Sequence, residues 1–473
     1  MTKDNPQPSN PYLTILKTFL SWKTFLFSIA LGSALLTGDA YDTSGSLVVF
    51  PAHQGSGAGG TIINPTEAAV SEASGQQQPQ GFFLSRVAAR FTSWDAIYFV
   101  TQAKRGYLFE QEWAFGAGLP SLIRGLLYIL RSLGVFTEAE GKDVGALYEA
   151  LAGVFLANVA HLLSAFVLYR LGCLVLGGPK KISLVAAVLH VFSPAGLFLS
   201  APYAESSFAL LSFSGYLVFA LSCGVNDQKP FYRDSGLILS GILFGLATGF
   251  RSNGILNGIP FAWEVIRHLP SFWERPVDMI RRMIALGVGG VCVAVGSAIP
   301  QAVAYRQLCS SDGSCGVGDL RPWCQSMVPS IYTFVQEHYC CFFSPRNTGF
   351  LRYWTLSNIP LFLLAAPMLV ILTKSGVDQL TSSDRKFLET GSSSQLFAFV
   401  QSLAVIQVVL SVLAITMYHV QIITRISSGY PLWYWWVAGS LCRGEKTASH
   451  IVKFMIIYAS IQGVLFTSFL PPA

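Results

Sequence analysis

The sequence predicts an all-α, polytopic transmembrane bundle with interfacial helices and long polar loops, and three observations predict it. Charged residues make up only 12% of the 473 positions and hydrophobic ones 52%, whereas soluble domains carry roughly 25% charge. Apolar runs recur along the whole chain, each close to the roughly 20 residues that a bilayer-spanning helix needs. Lys and Arg collect in alternate short connections between those runs, which is how positive-inside topology looks. The same scatter leaves no basic face, so the formal charge of +6 does not imply a nucleic-acid partner.

The first span runs from Tyr12 to Thr37. Its core, "TFLFSIALGSALLT", is short enough for a signal-peptide h-region and is followed by "GDA". A retained signal-anchor is the preferred reading, with Lys3, Lys17 and Lys23 holding the N-terminus in the cytosol. Residues 38–118 then lie on the far side. Within them, 41–80 ("HQGSGAGG", "ASGQQQPQG") has too little apolar content to bury a core and is expected to be a disordered insertion. The run "SLIRGLLYILRSLGVF" (121–136), broken by Arg124 and Arg131, suits a helix lying in the interface.

From there the apolar segments alternate. Residues 145–176 return to the cytosol and deliver Arg170, Lys180 and Lys181; 182–200 rise, 206–223 descend and 236–250 rise to a break at "GFRSNG". Residues 255–266 descend into the arginine-rich "RHLPSFWERPVDMIRR", and 283–305 rise to a long loop, 306–358. The segments 359–373, 396–418, 430–441 and 450–470 complete a single membrane domain, 1–473, of about eleven crossings by a 20-residue criterion. Five of the nine cysteines (Cys309, Cys315, Cys324, Cys340, Cys341) fall in the loop 306–358. Clustered loop cysteines on an oxidising side predict at least one disulfide, and "CSSDGSC" lacks the paired C-x-x-C spacing of structural zinc.

This threading brings "WDAIYF", "FEQEWAF", "SAPYAES", "GFRSNG", "SPRNTGFLRYW" and "YHVQIITR" to one membrane face. Each residue in them has a plain explanation when taken singly. Asp95 suits a helix cap, Glu110 and Glu112 solvated loop positions, the aromatics an interfacial belt, Arg251 snorkelling and His419 an interfacial histidine. Asn158 and His161, in mid-helix, suit interhelical hydrogen bonding. Jointly they describe a sugar site. Aromatic faces pack on pyranose rings, a carboxylate takes a proton from a hydroxyl, and an Arg/His set stabilises a phosphate leaving group. Inverting glycosyl transfer needs one general base and no nucleophile.

These blocks, from about Trp94 to about Trp436, resemble the transferases that add the second mannose in glycosylphosphatidylinositol (GPI) biosynthesis. That family belongs to the C-type superfamily of membrane glycosyltransferases. The resemblance implies a C-type helical bundle in the endoplasmic reticulum membrane with its catalytic face lumenal. It implies dolichyl-phosphate mannose as donor and mannosyl-glucosaminyl-phosphatidylinositol as acceptor, joined in α-1,6 linkage among the membrane lipids. It also allows a small membrane partner subunit. The superfamily's essential acid in the first lumenal loop falls on Asp95, the expected base, with Glu110 or Glu112 orienting a sugar. Trp94, Tyr98, Trp113, Glu205, Arg251, Asn253, Arg346, Asn347, His419, Gln421 and Arg425 are the expected substrate contacts. No DxD-like pair occurs in these motifs, and a monophosphate donor has little need of a metal, so neither metal nor cofactor is expected. A secondary transporter is the rival reading, since broken helices mark such proteins too, but "GFRSNG" has no second copy in the other half. A non-catalytic scaffold would not need several acid-aromatic blocks on one face.

Overall fold

The computed structural model describes residues 10–36, 44–49, 81–135, 145–177, 181–224, 229–271, 276–309, 321–342, 350–381, 394–468 and 470. Every element of three residues or more among them is helical. Seven helical spans are long and apolar enough to cross a membrane: Pro11–Ser33 within helix α1 (Pro11–Leu36), Leu147–Val175, Glu205–Gly224, Pro276–Cys309, Leu356–Thr381, Ser394–Thr416 and Lys446–Thr467. The chain is a multi-pass membrane protein.

Numbered in order, α1 is followed by α2 (Ser44–Val49), α3 (Gly81–Phe91), α4 (Asp95–Arg105) and α5 (Gly118–Ser132). The bundle continues with α6 (Leu147–Val175), α7 (Lys181–Val191), α8 (Glu205–Gly224), α9 (Pro230–Phe250), α10 (Ile259–His268) and α11 (Pro276–Cys309). It closes with α12 (Ile331–Phe342), α13 (Ile359–Thr381), α14 (Ser394–Thr416), α15 (Ile423–Ile426), α16 (Leu432–Cys442) and α17 (Lys446–Thr467).

Three further apolar segments fold as half-length helices. α7 and α16 have 11 residues and α10 has 10, about 16 Å at 1.5 Å per residue against a hydrocarbon core of about 30 Å. Short helical turns and bends adjoin each: 193–204 after α7, 251–258 before α10 and 419–431 before α16. The sequence suggests about eleven crossings; seven of the described helices are long and apolar enough to make one. Residues 193–204 are buried throughout, whereas Ser252 and Ile255 in 251–258 are exposed. Tyr203 and Tyr430 are buried to 1% exposure or less, and Asn257 bonds Tyr216 (2.6 Å) and Ser212 (3.2 Å).

Close helix packing follows from small residues. Gly241 and Gly245 of α9 lie against Gly289, Cys292 and Gly296 of α11 so closely that a Cβ at Gly241 or Gly245 would strike opposing backbone, the small-xxx-small solution of membrane helices. Asn158 and His161 do join helices: Asn158 Nδ2 donates to Ser200 O at 3.3 Å, and His161 Nε2 meets His190 O at 3.2 Å.

Two expectations change. Lys23 does not face the cytosol. It is 4% exposed, and its ammonium donates to Leu199 O (3.3 Å) and Ser200 Oγ (2.6 Å). The Leu199 carbonyl, which also accepts from Ser206 Oγ, and the Ser200 hydroxyl, both at the end of the 3₁₀ turn Gly196–Leu199, give the buried amine the acceptors that water would otherwise supply. Part of the insertion 41–80 is also folded. Helix α2 buries Val49 against Ala88, Ala89, Val100, Ala146, Leu147 and Ala150, and Val48 O accepts from Ala146 N at 3.0 Å. The apolar "SLVV" provides what the Gly/Ser/Gln remainder lacks; residues 50–80 lie outside the described ones.

Candidate active site

The turns beside the three half-length helices end at one place. Residues 193–204 lead into Glu205, 251–258 begin with Arg251, and 419–431 contain Arg425. Arg425 Nε donates to Glu205 Oε1 at 2.9 Å, and Nη2 approaches the same oxygen at 2.8 Å. Its Nη1 and Nη2 donate to Asp95 Oδ2 at 3.2 and 3.1 Å. Arg251 Nη1 reaches Glu205 Oε1 at 2.7 Å. Two carboxylates and two guanidiniums thus form one chain, Asp95–Arg425–Glu205–Arg251, whose charges cancel. Exposure is greatest at the Asp95 end: the side chain of Asp95 is 37% exposed, those of Arg425 and Arg251 are 16% and 14%, and that of Glu205 is 0%. The accessible acid is Asp95.

The local backbone fixes that acid. Trp94 has φ 59° and ψ −127°, a region that costs a bulky residue about 1–3 kcal/mol and persists only where its surroundings enforce it. One restraint is Tyr203, whose hydroxyl donates to Ser93 O at 2.9 Å. Asp95 is therefore the first residue of α4 and not its cap. The cap position is Trp94, which makes no side-chain capping bond, and the Asp95 carboxylate accepts from Arg425 instead. Phe198 and Tyr203 pack on the Arg425 guanidinium, with ring centroids 4.1 and 4.8 Å away, a cation–π cradle.

Glu110 and Glu112 have other partners. Glu112 accepts from Arg105 at 2.5 Å and from the backbone N–H of Leu108 (2.8 Å) and Phe109 (3.3 Å). It caps the 3₁₀ turn Glu110–Ala114, a reciprocal use of Glu at a helix start. Glu110 Oε1 accepts from Trp323 Nε1 at 2.9 Å and pairs with Arg321 at 2.6 Å. Trp113 is 6% exposed and joins Trp323, Ala304, Ile331 and Val335 in a small separate core. This cap is pinned by a disulfide, Cys309–Cys324, which is the bridge that the clustered cysteines predict. Gly116 seats the cap on the bundle, since a Cβ there would strike the carbonyl of Phe250, the residue before Arg251.

Tyr98 stacks on Phe115 at 4.6 Å and 18°, beside Asp95. Burial first, then the Asp95 and Glu112 carboxylates, raise its phenol above the ordinary value, so it stays protonated and able to donate. Asn253 Oδ1 accepts from Arg251 Nε at 3.3 Å, and its Nδ2 donates to Tyr430 at 2.9 Å. Gln421 and His419 meet a different residue, Tyr353, whose hydroxyl donates to Gln421 Oε1 at 2.9 Å and whose ring lies 5.0 Å from the imidazole. Arg346 and Asn347 lie outside the described residues. No group of three or more His, Cys, Asp or Glu among the described residues is placed to hold a metal. The sequence reading passed over Phe198, Tyr203, Tyr353 and Tyr430. The first two stand in the quoted "SPAGLFLSAPYAES", but nothing in that string shows that they face an arginine more than 200 residues on.

A family model described as "Mannosyltransferase (PIG-V)" matches residues 66–473. A GPI mannosyltransferase 2 of Chaetomium globosum is 56% identical, over 98% of this chain and 97% of that one. A rat protein named GPI alpha-1,6-mannosyltransferase 2 is 30% identical over 73% of this chain and 72% of its own. Among solved structures, an oligosaccharyltransferase of Archaeoglobus fulgidus superposes with a TM-score of 0.42 at 12% identity, covering 81% of this chain and 51% of that one.

Proposed function

Since the chain belongs to the mannosyltransferase (PIG-V) family, and is thus a glycosyltransferase, we propose that it adds the second mannose to the GPI precursor in the lumen of the endoplasmic reticulum. The donor is dolichyl-phosphate mannose, the acceptor mannosyl-glucosaminyl-phosphatidylinositol and the new bond α-1,6, the linkage named for the rat relative. One observation carries the catalytic part: Asp95 is the accessible carboxylate at the end of an otherwise buried ionic chain. Arg425 holds one oxygen, Oδ2, and Oδ1 is left to take the proton of the acceptor hydroxyl. The hydroxyl oxygen then bonds the anomeric carbon, the bond from that carbon to the phosphate oxygen breaks, and dolichyl phosphate leaves with the electron pair. One base suffices for such inversion. Tyr98 and Trp94 flank Asp95 and offer faces and donors to the sugars. Glu110 and Glu112 act by fixing the loop that faces the reacting sugar. No metal takes part.

The test uses microsomes from cells that lack their own second-mannose transferase and express this chain. Supplied with labelled dolichyl-phosphate mannose and the one-mannose precursor, they should form a two-mannose product from which an α-1,6-mannosidase releases the label. Labelling that persists from GDP-mannose when dolichyl-phosphate mannose synthesis is blocked would refute the donor, and a mannosidase-resistant product would refute the linkage.

A further inference from the structure

The two arginines of the site differ in what they have left to give. A guanidinium carries five N–H donors on three nitrogens. In Arg425 all three nitrogens are engaged: Nε and Nη2 with Glu205, Nη1 and Nη2 with Asp95. Its faces are covered by Phe198 and Tyr203. In Arg251, Nη1 pairs with Glu205 and Nε donates to Asn253; Nη2 has no partner among the described residues. The Arg251 side chain is 14% exposed and Nη2 is not one of the fully buried atoms, so its two donors are open to a ligand that brings acceptors. Glu205 does not engage them: its Oε1 takes both arginines, and Oε2 has no hydrogen-bond partner among the described residues.

From this we infer a division of labour, resting on the proposed mannosyl transfer: Arg251 is the receptor for the phosphate of the lipid-linked donor and of the dolichyl phosphate left behind, while Arg425 is a positioning residue that clamps the base. As the glycosidic C–O bond breaks, the phosphate goes from a singly charged diester to a monoester with a second negative charge. The two Nη2 N–H groups of Arg251 meet that charge with charge-assisted bonds. Glu205 prevents both cations from competing for the phosphate, because it is the shared anion that keeps Arg425 turned toward Asp95. Asn253, held by Tyr430, sets the plane of the Arg251 fork.

Detergent-solubilised full-length protein allows a test that does not need turnover. Dolichyl phosphate should raise the thermal midpoint of the wild type and of Arg425→Ala, but should shift Arg251→Ala little. In steady-state transfer assays, Arg251→Ala should raise the donor KM and the inhibition constant for dolichyl phosphate about 10- to 100-fold, the span of a hydrogen bond to a charged group. Arg425→Ala should lower kcat by about 10- to 100-fold with both constants unchanged, and added guanidinium ion should recover part of the loss. Arg425→Lys should recover little, because the two-pronged hold on Asp95 needs the planar fork. If Arg251→Ala folds poorly, Arg251→Lys keeps a charge on Glu205 and should still weaken the dolichyl phosphate response. Equal loss of that response in the Arg251 and Arg425 variants, or its loss in Arg425→Ala alone, overturns the assignment. A wild type that transfers no mannose yet responds to dolichyl phosphate through Arg251 would refute the proposed function and leave the phosphate site standing.

Discussion

Two buried glutamates, one toward each end of the bundle, hold arginines in different ways. Glu264, on α10, is 1% exposed and uses both oxygens: Oε1 accepts from Arg267 at 3.0 Å, Oε2 from His268 at 3.1 Å and Arg282 at 2.8 Å. Two of these partners lie within one turn on the same short helix and its C-terminus. The third ties α10 to α11. Glu205 uses one oxygen, for two arginines that come from distant parts of the chain, and one of those continues to a half-exposed Asp95. In the Glu264 group the carboxylate is buried and both of its oxygens are taken, as in a clamp. The Glu205 group has donors and an acid left over, facing outward. Buried charge alone identifies neither clamp nor site; what separates them is whether the network ends on an accessible acid.

Removing each glutamate tests that contrast. Breaking a buried ion pair from one side costs about 3–5 kcal/mol, because a charge is left uncompensated. Glu205→Gln and Glu264→Gln should therefore both lower the abundance and the thermal midpoint of the protein. Only Glu205→Gln should also lower transfer per folded molecule, since only it releases Arg425 from the base. Equal specific activity in the two variants would mean that the Glu205 group is a clamp as well. The disulfide should give a smaller effect. Cys309–Cys324 closes a separation of 15 residues, worth about 3 kcal/mol by chain entropy. Cys324→Ser should loosen the Trp113/Trp323 cap, read as faster chymotrypsin cleavage after Trp323, while leaving the Glu264 end unchanged. The smallest effect belongs to the insertion. Deleting 50–80 should leave activity near wild type, because loop entropy varies slowly with length. Extending the deletion to 41–80 removes α2 and its packing on Ala89 and Leu147 and should reduce abundance. Complementation beside immunoblotting checks both, and equal tolerance would show that α2 adds nothing.

Much of this architecture is legible in the sequence. The multi-pass helical fold follows from hydropathy. The disulfide follows from cysteine clustering, and Asp95, Glu205, Arg251 and Arg425 stand out as charges in apolar surroundings. Their contact is not legible. Topology gives each residue a depth but no position around the bundle, and Asp95 and Arg425 are 330 residues apart. Lys23 shows the limit of charge counting, which cannot register that a carbonyl and a hydroxyl can hold a lysine in the membrane interior. Glu112 shows another limit. The spacing that makes "FEQE" a capping sequence is visible, but the acid-aromatic pattern around it drew attention to sugars instead of to the turn's own N–H groups.

The central claim is that Asp95 is the base, and Asp95→Asn tests it most directly, because Asn keeps the shape of the side chain and can still accept from Arg425. Transfer from labelled dolichyl-phosphate mannose should be compared with wild type at matched amounts of membrane-inserted protein. The account predicts a loss of about 10²- to 10⁴-fold, the usual worth of a general base, with abundance and thermal midpoint changed far less than in Glu205→Gln. An Asn variant that turns over at the wild-type rate would contradict it, and would leave Asp95 as no more than the outer end of an ionic chain.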